Sequence, residues 1–209
     1  MSPISLLVLS CGRPALLNAT LTSLFAVVPP PTFAELVMLD CHDEIAHPHF
    51  RRVPACNITD RESDIMCNVN RLYLHARSTF VLFTEDDWKF TNPLLLTHLR
   101  DLTSLLWRTQ AATTIQLTGK NKPLRYNKTR GVFHHRNISY AWTNSPAGPG
   151  GMFGAWTNNP HIGRSALRPA DLSSEWQSSI RFRHAGYGTL QTMLSYVVHI
   201  GGDAHVYSK

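Results

Sequence analysis

The sequence predicts a parallel α/β sheet, and three observations carry that expectation. Through the first 87 residues, short apolar runs alternate with longer stretches of helical spacing, in the order strand, helix, strand, helix, strand. The short runs are nearly continuous in apolar or β-branched residues, as strands covered on both faces are. Polar and charged residues collect where the runs end: Ser10, Cys11 and Arg13 after the first, Asp40 after the second, and Glu85, Asp86 and Asp87 after the third. In parallel sheets ligands bind outside the carboxyl ends of the strands, so these residues would line one crevice.

The first strand is expected over residues 3 to 9 (Pro-Ile-Ser-Leu-Leu-Val-Leu). Pro14 suits the first position of a helix, and Leu17, Leu21, Leu24 and Phe25 then share one face until Pro29-Pro30-Pro31 stops it. Leu36 to Leu39 forms the second strand. Residues 41 to 58 carry His42, His47, His49 and two prolines and read as a loop. Thr59 or Asp60 caps the next helix, where Ile65, Met66, Val69, Leu72, Tyr73 and Ala76 recur at helical spacing. Phe80 to Thr84 is the third strand, with right-handed crossovers expected between the three.

Beyond Asp87 the pattern loosens. A helix is expected from near Asn92-Pro93 through Leu106, a strand over Thr113 to Leu117, and short antiparallel strands around Gly131 to His135 and Ile138 to Trp142. From Gly148 the run Gly-Pro-Gly-Gly-Met-Phe-Gly-Ala-Trp reads either as backbone that approaches a ligand closely or as an ordinary turn. A last helix from Ser173 or Ser174 to Ala185 stops at Gly186, and a strand containing His199 follows over Met193 to Ile200.

Length and composition bound the rest. With 209 residues, 43% hydrophobic and 16% charged, the chain suits a single well-cored domain. Lys+Arg outnumber Asp+Glu by 20 to 14, a net charge of +6, which favours anionic partners. Lys120, Lys122, Arg125, Lys128 and Arg130 form the one dense basic group, which reads as a solvated loop; no nucleic-acid-binding module is recognisable and no nucleic-acid partner is expected. The four cysteines, Cys11, Cys41, Cys56 and Cys67, show no disulfide-framework spacing, so reduced thiols are expected. No apolar stretch approaches the roughly 18 residues of a membrane span, and Ile4 to Leu9 is short for a signal peptide. A soluble cytoplasmic protein follows as the expectation, and the sequons at Asn18, Asn57, Asn127 and Asn137 carry little weight beside it.

The acidic run carries the chemistry. Three adjacent carboxylates repel one another, so a buried strand that ends in them calls for a cation. Carboxylate oxygens are hard ligands suited to Mg²⁺ or Mn²⁺, and such ions complete their shell with water and phosphate oxygens. A nucleoside diphosphate is then the natural partner. A solvated acidic turn is the plain alternative.

Taken together, these features resemble the GT-A fold of nucleotide-sugar glycosyltransferases, particularly the large inverting group of small bacterial and viral polysaccharide enzymes. Leu9-Ser10-Cys11-Gly12-Arg13-Pro14 stands where that group has its first-strand turn, and Asn68-Val69-Asn70-Arg71 resembles its donor-facing helix segment. Glu85-Asp86-Asp87 resembles its DxD motif, with Glu one methylene longer in the first position. Gly150-Gly151-Met152-Phe153 resembles its acceptor loop. Ser174-Glu175-Trp176-Gln177 through Gly186-Tyr187 resembles its catalytic segment, and Val198-His199-Ile200-Gly201-Gly202 its terminal one. The resemblance implies a central mostly parallel sheet with a small antiparallel acceptor-side portion, residues 1–90 forming the donor half and 91–209 the acceptor half. It implies that Asp40 holds the donor base and that Ser10, Arg13, Asn70, Arg71, Glu85 and Asp86 contact a UDP- or GDP-type donor. Asp87 and His199 would hold Mn²⁺ or Mg²⁺, and Glu175 would act as general base on a glycan hydroxyl, with inversion.

Other readings remain open on sequence. Cys41, His42, His47, His49 and Cys56 are zinc-ligand types in no compact finger spacing. A sugar nucleotidyltransferase shares the sheet and metal but should carry a richer phosphate loop than Gly12-Arg13. A non-catalytic nucleotide- or sugar-binding module of a larger protein is the third.

Overall fold

A computed structural model describes residues 3–42, 47–56, 61–118, 132–143, 159–168 and 175–201. The first strand, β1 (Ile4–Ser10), is buried along all seven residues, and its alternating side chains feed two separate cores. Ile4, Leu6 and Val8 pack with Leu17, Leu21 and Leu24 of α1 (Pro14–Val27) and with Leu95, Leu99 and Leu102 of α3 (Leu94–Arg108). Leu7 and Leu9 pack on the other face with Met66, Val69, Leu72 and Tyr73 of α2 (Arg61–His75). The third expected strand, β4 (Phe80–Glu85), divides the same way, Phe80 and Leu82 to one side and Val81 and Phe83 to the other. This period-two split is why both runs read as continuous apolar sequence.

β1 lies between two parallel neighbours in the sheet. It pairs in parallel with β2 (Glu35–Asp40) on one side and β4 on the other. The register sets Ser10 beside Asp40 and Leu9 beside Glu85, so three strand ends finish level. The sheet continues through β3 (Arg51–Arg52), β6 (Ala112–Gln116), β7 (Val132–His135), β8 (Ile138–Thr143), β9 (His161–Arg164) and β10 (Gly188–Thr192) in the order β3-β2-β1-β4-β9-β6-β10-β8-β7. Among the described strands seven point one way, while β9 and β8 run against them. That is the mostly parallel sheet with an antiparallel portion expected from the sequence. The last helix, α4 (Glu175–His184), lays Phe182 on the α2-side core and ends where Gly186 takes a φ of +84°.

Several elements depart from the sequence reading. The stretch expected as a loop contributes the edge strand β3, held by pairing with Val37 and Met38. The strand expected over Met193 to Ile200 shortens to β11 (Val197–His199), which leaves the main sheet and pairs antiparallel with β5 (Trp88–Phe90). β9 and β10 had no signal in the hydrophobic pattern. The expectation of reduced thiols is corrected for two of the four cysteines: Cys56 and Cys67 form a disulfide, while Cys11 and Cys41 are free. Cys67 faces the segment before α2, where Asn68 Oδ1 accepts the Cys56 N–H at 2.7 Å and draws that segment onto the helix. This tertiary approach leaves no mark on cysteine spacing, and it removes the thiol argument for a reducing compartment. No helix among the described residues is long and apolar enough to cross a membrane. The basic group at 120–130, the glycine-bearing segment at 148–156, the cap candidates Thr59 and Asp60 and the sequons at Asn57 and Asn127 lie outside the described residues.

Candidate functional site

The level ends of β1, β2 and β4 set Ser10, Asp40 and Glu85 in one row, with Asp86 and Asp87 in the turn that follows. Asp86 is the hub of this cluster and is fully buried. Its carboxylate accepts the Ser10 hydroxyl and the Cys11 N–H, each at 3.1 Å, and a charge-assisted hydrogen bond from Arg13 Nη2. Burial pushes the Asp86 carboxyl above its ordinary range, and the Cys11 N–H and Arg13 offset only part of that push. Arg13 also reaches Asp87 Oδ2 at 3.0 Å. Partial burial works against its charge, but the two carboxylates outweigh burial and raise its pKa. The cation that the acidic run calls for is thus supplied, in the described residues, by the chain's own arginine.

A second row of contacts fixes the turn. Gly12 takes a φ of +69°, a conformation that suits glycine, and its N–H donates to Asp40 Oδ1 at 3.0 Å. Thr20 Oγ1, fully buried on α1, donates to the Asp86 carbonyl at 2.8 Å and accepts the Trp88 N–H at 3.2 Å. β11 brings His199 against the same turn: its Nε2 lies 3.3 Å from Asp87 Oδ2, its ring meets Trp88 edge-on at 5.0 Å, and the Ile200 N–H donates to the Asp87 carbonyl at 2.8 Å. At Gly201 a Cβ would come within 3.0 Å of Asp87 Oδ2 and 3.1 Å of His199 Nε2, so a bare backbone lets the pair approach.

Six of the residues expected at the site therefore meet: Ser10, Arg13, Asp40, Asp86, Asp87 and His199. Glu85 closes β4 beside them, half-buried. Arg71 donates instead to the carbonyls of Pro54 and Ala55 at 3.0 and 2.9 Å, fastening that segment to α2, while the neighbouring Asn70 Oδ1 is buried with no hydrogen bond among the described residues. Glu175 opens α4, and its side chain lies outside the described atoms. Sequence reasoning missed Thr20, which had a signal, a hydroxyl three residues after Leu17 on the buried face of α1; Gly201 was read only as part of the terminal segment, without its role in letting Asp87 and His199 approach.

Among the described residues no group of three or more His, Cys, Asp or Glu is arranged to hold a metal. Asp87 Oδ1, however, is buried without a hydrogen-bond partner in those residues, and His199 stands on the other oxygen. One carboxylate and an imidazole fit an ion that takes most of its ligands from phosphate and water, and not one caged by protein alone. A cleft of about 440 Å³ lined by Phe80, Arg100, Ser104, Trp107 and Arg136 opens at the other end of β4 and contains none of these residues.

Comparison with known proteins gives the fold a context. No protein-family description matches the chain, and no curated protein is similar to it in sequence. Among solved structures, the Staphylococcus aureus TarS 1–349 crystal structure superposes with a TM-score of 0.54 at 14% identity, over 93% of this chain and 59% of that one. The same protein in complex with UDP gives 0.53 at 15%, again over 93% and 59%. The mannosyltransferase PcManGT from Pyrobaculum calidifontis, in complex with GDP-Man and Mn²⁺, gives 0.57 at 11%, over 93% and 54%. The chain thus spans little more than half the length of each. With its level strand ends and mixed sheet, the chain shares the GT-A-like fold of these structures.

Proposed function

We propose that this chain moves a sugar from a UDP- or GDP-type sugar to a glycan hydroxyl, using Mn²⁺ or Mg²⁺ and inverting the anomeric centre. The observation that carries the reading is the meeting of Asp40, Arg13, Asp86, Asp87 and His199 at the carboxyl ends of β1, β2 and β4. A GT-A-like fold supports it, as do the ligands in the complexes of the similar structures, UDP for TarS and GDP-Man with Mn²⁺ for PcManGT.

In this reading residues 1–90 form the donor half of a single domain and 91–209 the acceptor half. Asp40 receives the donor base, Ser10, Glu85 and Asp86 the ribose, and Asn70 and Arg71 line the donor's approach along α2. Asp87 and His199 hold the ion, which when bound neutralises charge on the diphosphate leaving group. Arg13, whose side chain is 40% exposed although its Nε is buried, stabilises the same developing charge. Glu175 takes the proton from the acceptor hydroxyl as that oxygen attacks the anomeric carbon. The fixed turn around Thr20 and Gly12 orients these groups before the donor arrives.

The test is release of nucleoside diphosphate from a panel of UDP-, GDP-, CMP- and dTDP-sugars with Mn²⁺, Mg²⁺ or chelator, using the wild type, Asp87→Asn and Glu175→Gln. Metal-dependent release that falls in both variants, with nucleotide binding kept in Glu175→Gln, supports the proposal. Full release by Asp87→Asn, or a chemical step unchanged in Glu175→Gln, sinks it. Nucleotide binding without turnover on any donor would favour a binding module.

A further inference from the structure

The two cysteines outside the disulfide stand at the same strand ends. Cys11 Sγ and Cys41 Sγ are 2.7 Å apart, closer than the roughly 3.5–4.0 Å optimum of non-bonded carbons although sulfur is larger, and approaching a covalent S–S bond of about 2.03–2.05 Å. Their backbones suit a bond. Cys11 and Cys41 directly follow Ser10 and Asp40, which are register partners across β1 and β2, and the ladder runs on through the Cys41 N–H to the Ser10 carbonyl at 2.8 Å. Neighbouring strands lie about 4.7–4.9 Å apart, within the separation a disulfide spans. Both residues are only half-buried. Asn68 links them to the existing disulfide: its Oδ1 accepts the Cys56 N–H and its Nδ2 faces Cys41 Sγ at 3.6 Å.

We propose that Cys11 and Cys41 are a redox-active pair that closes to a second disulfide, clamping the turn that carries Gly12 and Arg13 to the end of β2 that carries Asp40. The reaction is exchange with a small-molecule disulfide such as oxidised glutathione. Cys41 gives its proton to solvent and, as thiolate, attacks one sulfur of the reagent, expelling the first thiolate, which takes a proton from solvent, and leaving a mixed disulfide. Cys11 gives its proton to solvent and attacks the Cys41 sulfur, which forms the protein S–S bond and expels the second thiol. In sum, two protein S–H bonds and the reagent's S–S bond are replaced by one protein S–S bond and two reagent S–H bonds, and two electrons pass to the reagent. Closure ties the Cys11 N–H to Asp86 and the Gly12 N–H to Asp40 more tightly, because both hydrogen bonds flank the new bond.

The test does not depend on any nucleotide. The full chain is equilibrated in glutathione buffers from reducing to oxidising, quenched with acid, alkylated, digested without reduction and mapped by mass spectrometry, with Cys56–Cys67 as internal reference. A Cys11–Cys41 linked peptide that grows as the buffer becomes oxidising is the expected result. Alkylated Cys11 and Cys41 in every buffer where Cys56–Cys67 stays linked would overturn the proposal, as would cross-links from Cys11 or Cys41 to Cys56 or Cys67. Amide hydrogen exchange of the peptide spanning Cys11 to Arg13 should slow several-fold on oxidation, and the C11S/C41S double variant should lose that response. A linked pair with unchanged exchange would overturn the clamp.

Discussion

Thr20→Val is the most discriminating probe of how the acidic turn is held. Valine keeps the shape of threonine and its buried position on α1, so packing is preserved while one hydroxyl is lost. That hydroxyl serves two backbone groups at once, donating to the Asp86 carbonyl at 2.8 Å and accepting the Trp88 N–H at 3.2 Å. Without it both groups are left in a buried site, and each unsatisfied group costs about 1–3 kcal/mol. Part of that cost is relieved if the turn shifts, so a loss of about 2–4 kcal/mol is expected. For a chain of this size each kcal/mol moves Tm by about 2–4 °C, giving a fall of about 4–16 °C. Thr20→Ser keeps the hydroxyl and should recover most of it. Differential scanning fluorimetry and urea titration of the three proteins read this out. A Tm for Thr20→Val within about 1 °C of the wild type, too small for even one lost buried hydrogen bond, would refute the claim that this hydroxyl fixes the turn.

Three further outcomes follow from the same structure. Gly12→Ala should cost about 1–2 kcal/mol in chemical denaturation, because its φ of +69° is a left-handed conformation; the 2.6 Å contact of the added Cβ falls on the exposed His42 ring, which can turn away. The C56S/C67S variant, which opens a disulfide of sequence separation 11, should lose about 2–3 kcal/mol and be read as a lower urea midpoint. His161 is fully buried between Tyr73 and the Asn159 carbonyl, and burial lowers its pKa to about 4 from 6.5. The unfolded chain therefore binds this proton more readily, so the stability it confers is complete above about pH 6.5 and is lost as pH falls towards 4. The slope from this group is up to about 1.4 kcal/mol per pH unit, and urea titrations at pH 7 and 4.5 should show the His161→Gln variant losing less than the wild type.

The first 90 residues were legible because their strands are buried on both faces and their helices on one, so hydrophobic period alone separates them. The level ending of the strands followed from parallel pairing, and with it the meeting of Ser10, Asp40 and Asp86. β9 and β10 were not legible: His161-Ile162-Gly163-Arg164 and Gly188-Thr189-Leu190-Gln191-Thr192 are short and half polar, and they become strands by sliding between long-range partners. The acidic run predicted a cation, but sequence could not say that Arg13, more than 70 residues away, would supply it. Pairing of Cys56 with Cys67, and the approach of Cys11 to Cys41, depend on which loops fold onto which strand ends, and spacing carries no record of that.

In the proposed reading Asp87 and His199 accept a divalent ion together with a nucleoside diphosphate. Isothermal titration of UDP and of GDP into the wild type and Asp87→Asn, each with Mn²⁺ and with chelator, tests it most directly. At least one nucleotide should bind in a way that needs Mn²⁺ in the wild type and weaken at least about tenfold, or 1.4 kcal/mol, in Asp87→Asn. Equal affinity with Mn²⁺ and with chelator, or an Asp87→Asn variant that binds as the wild type does, would contradict it.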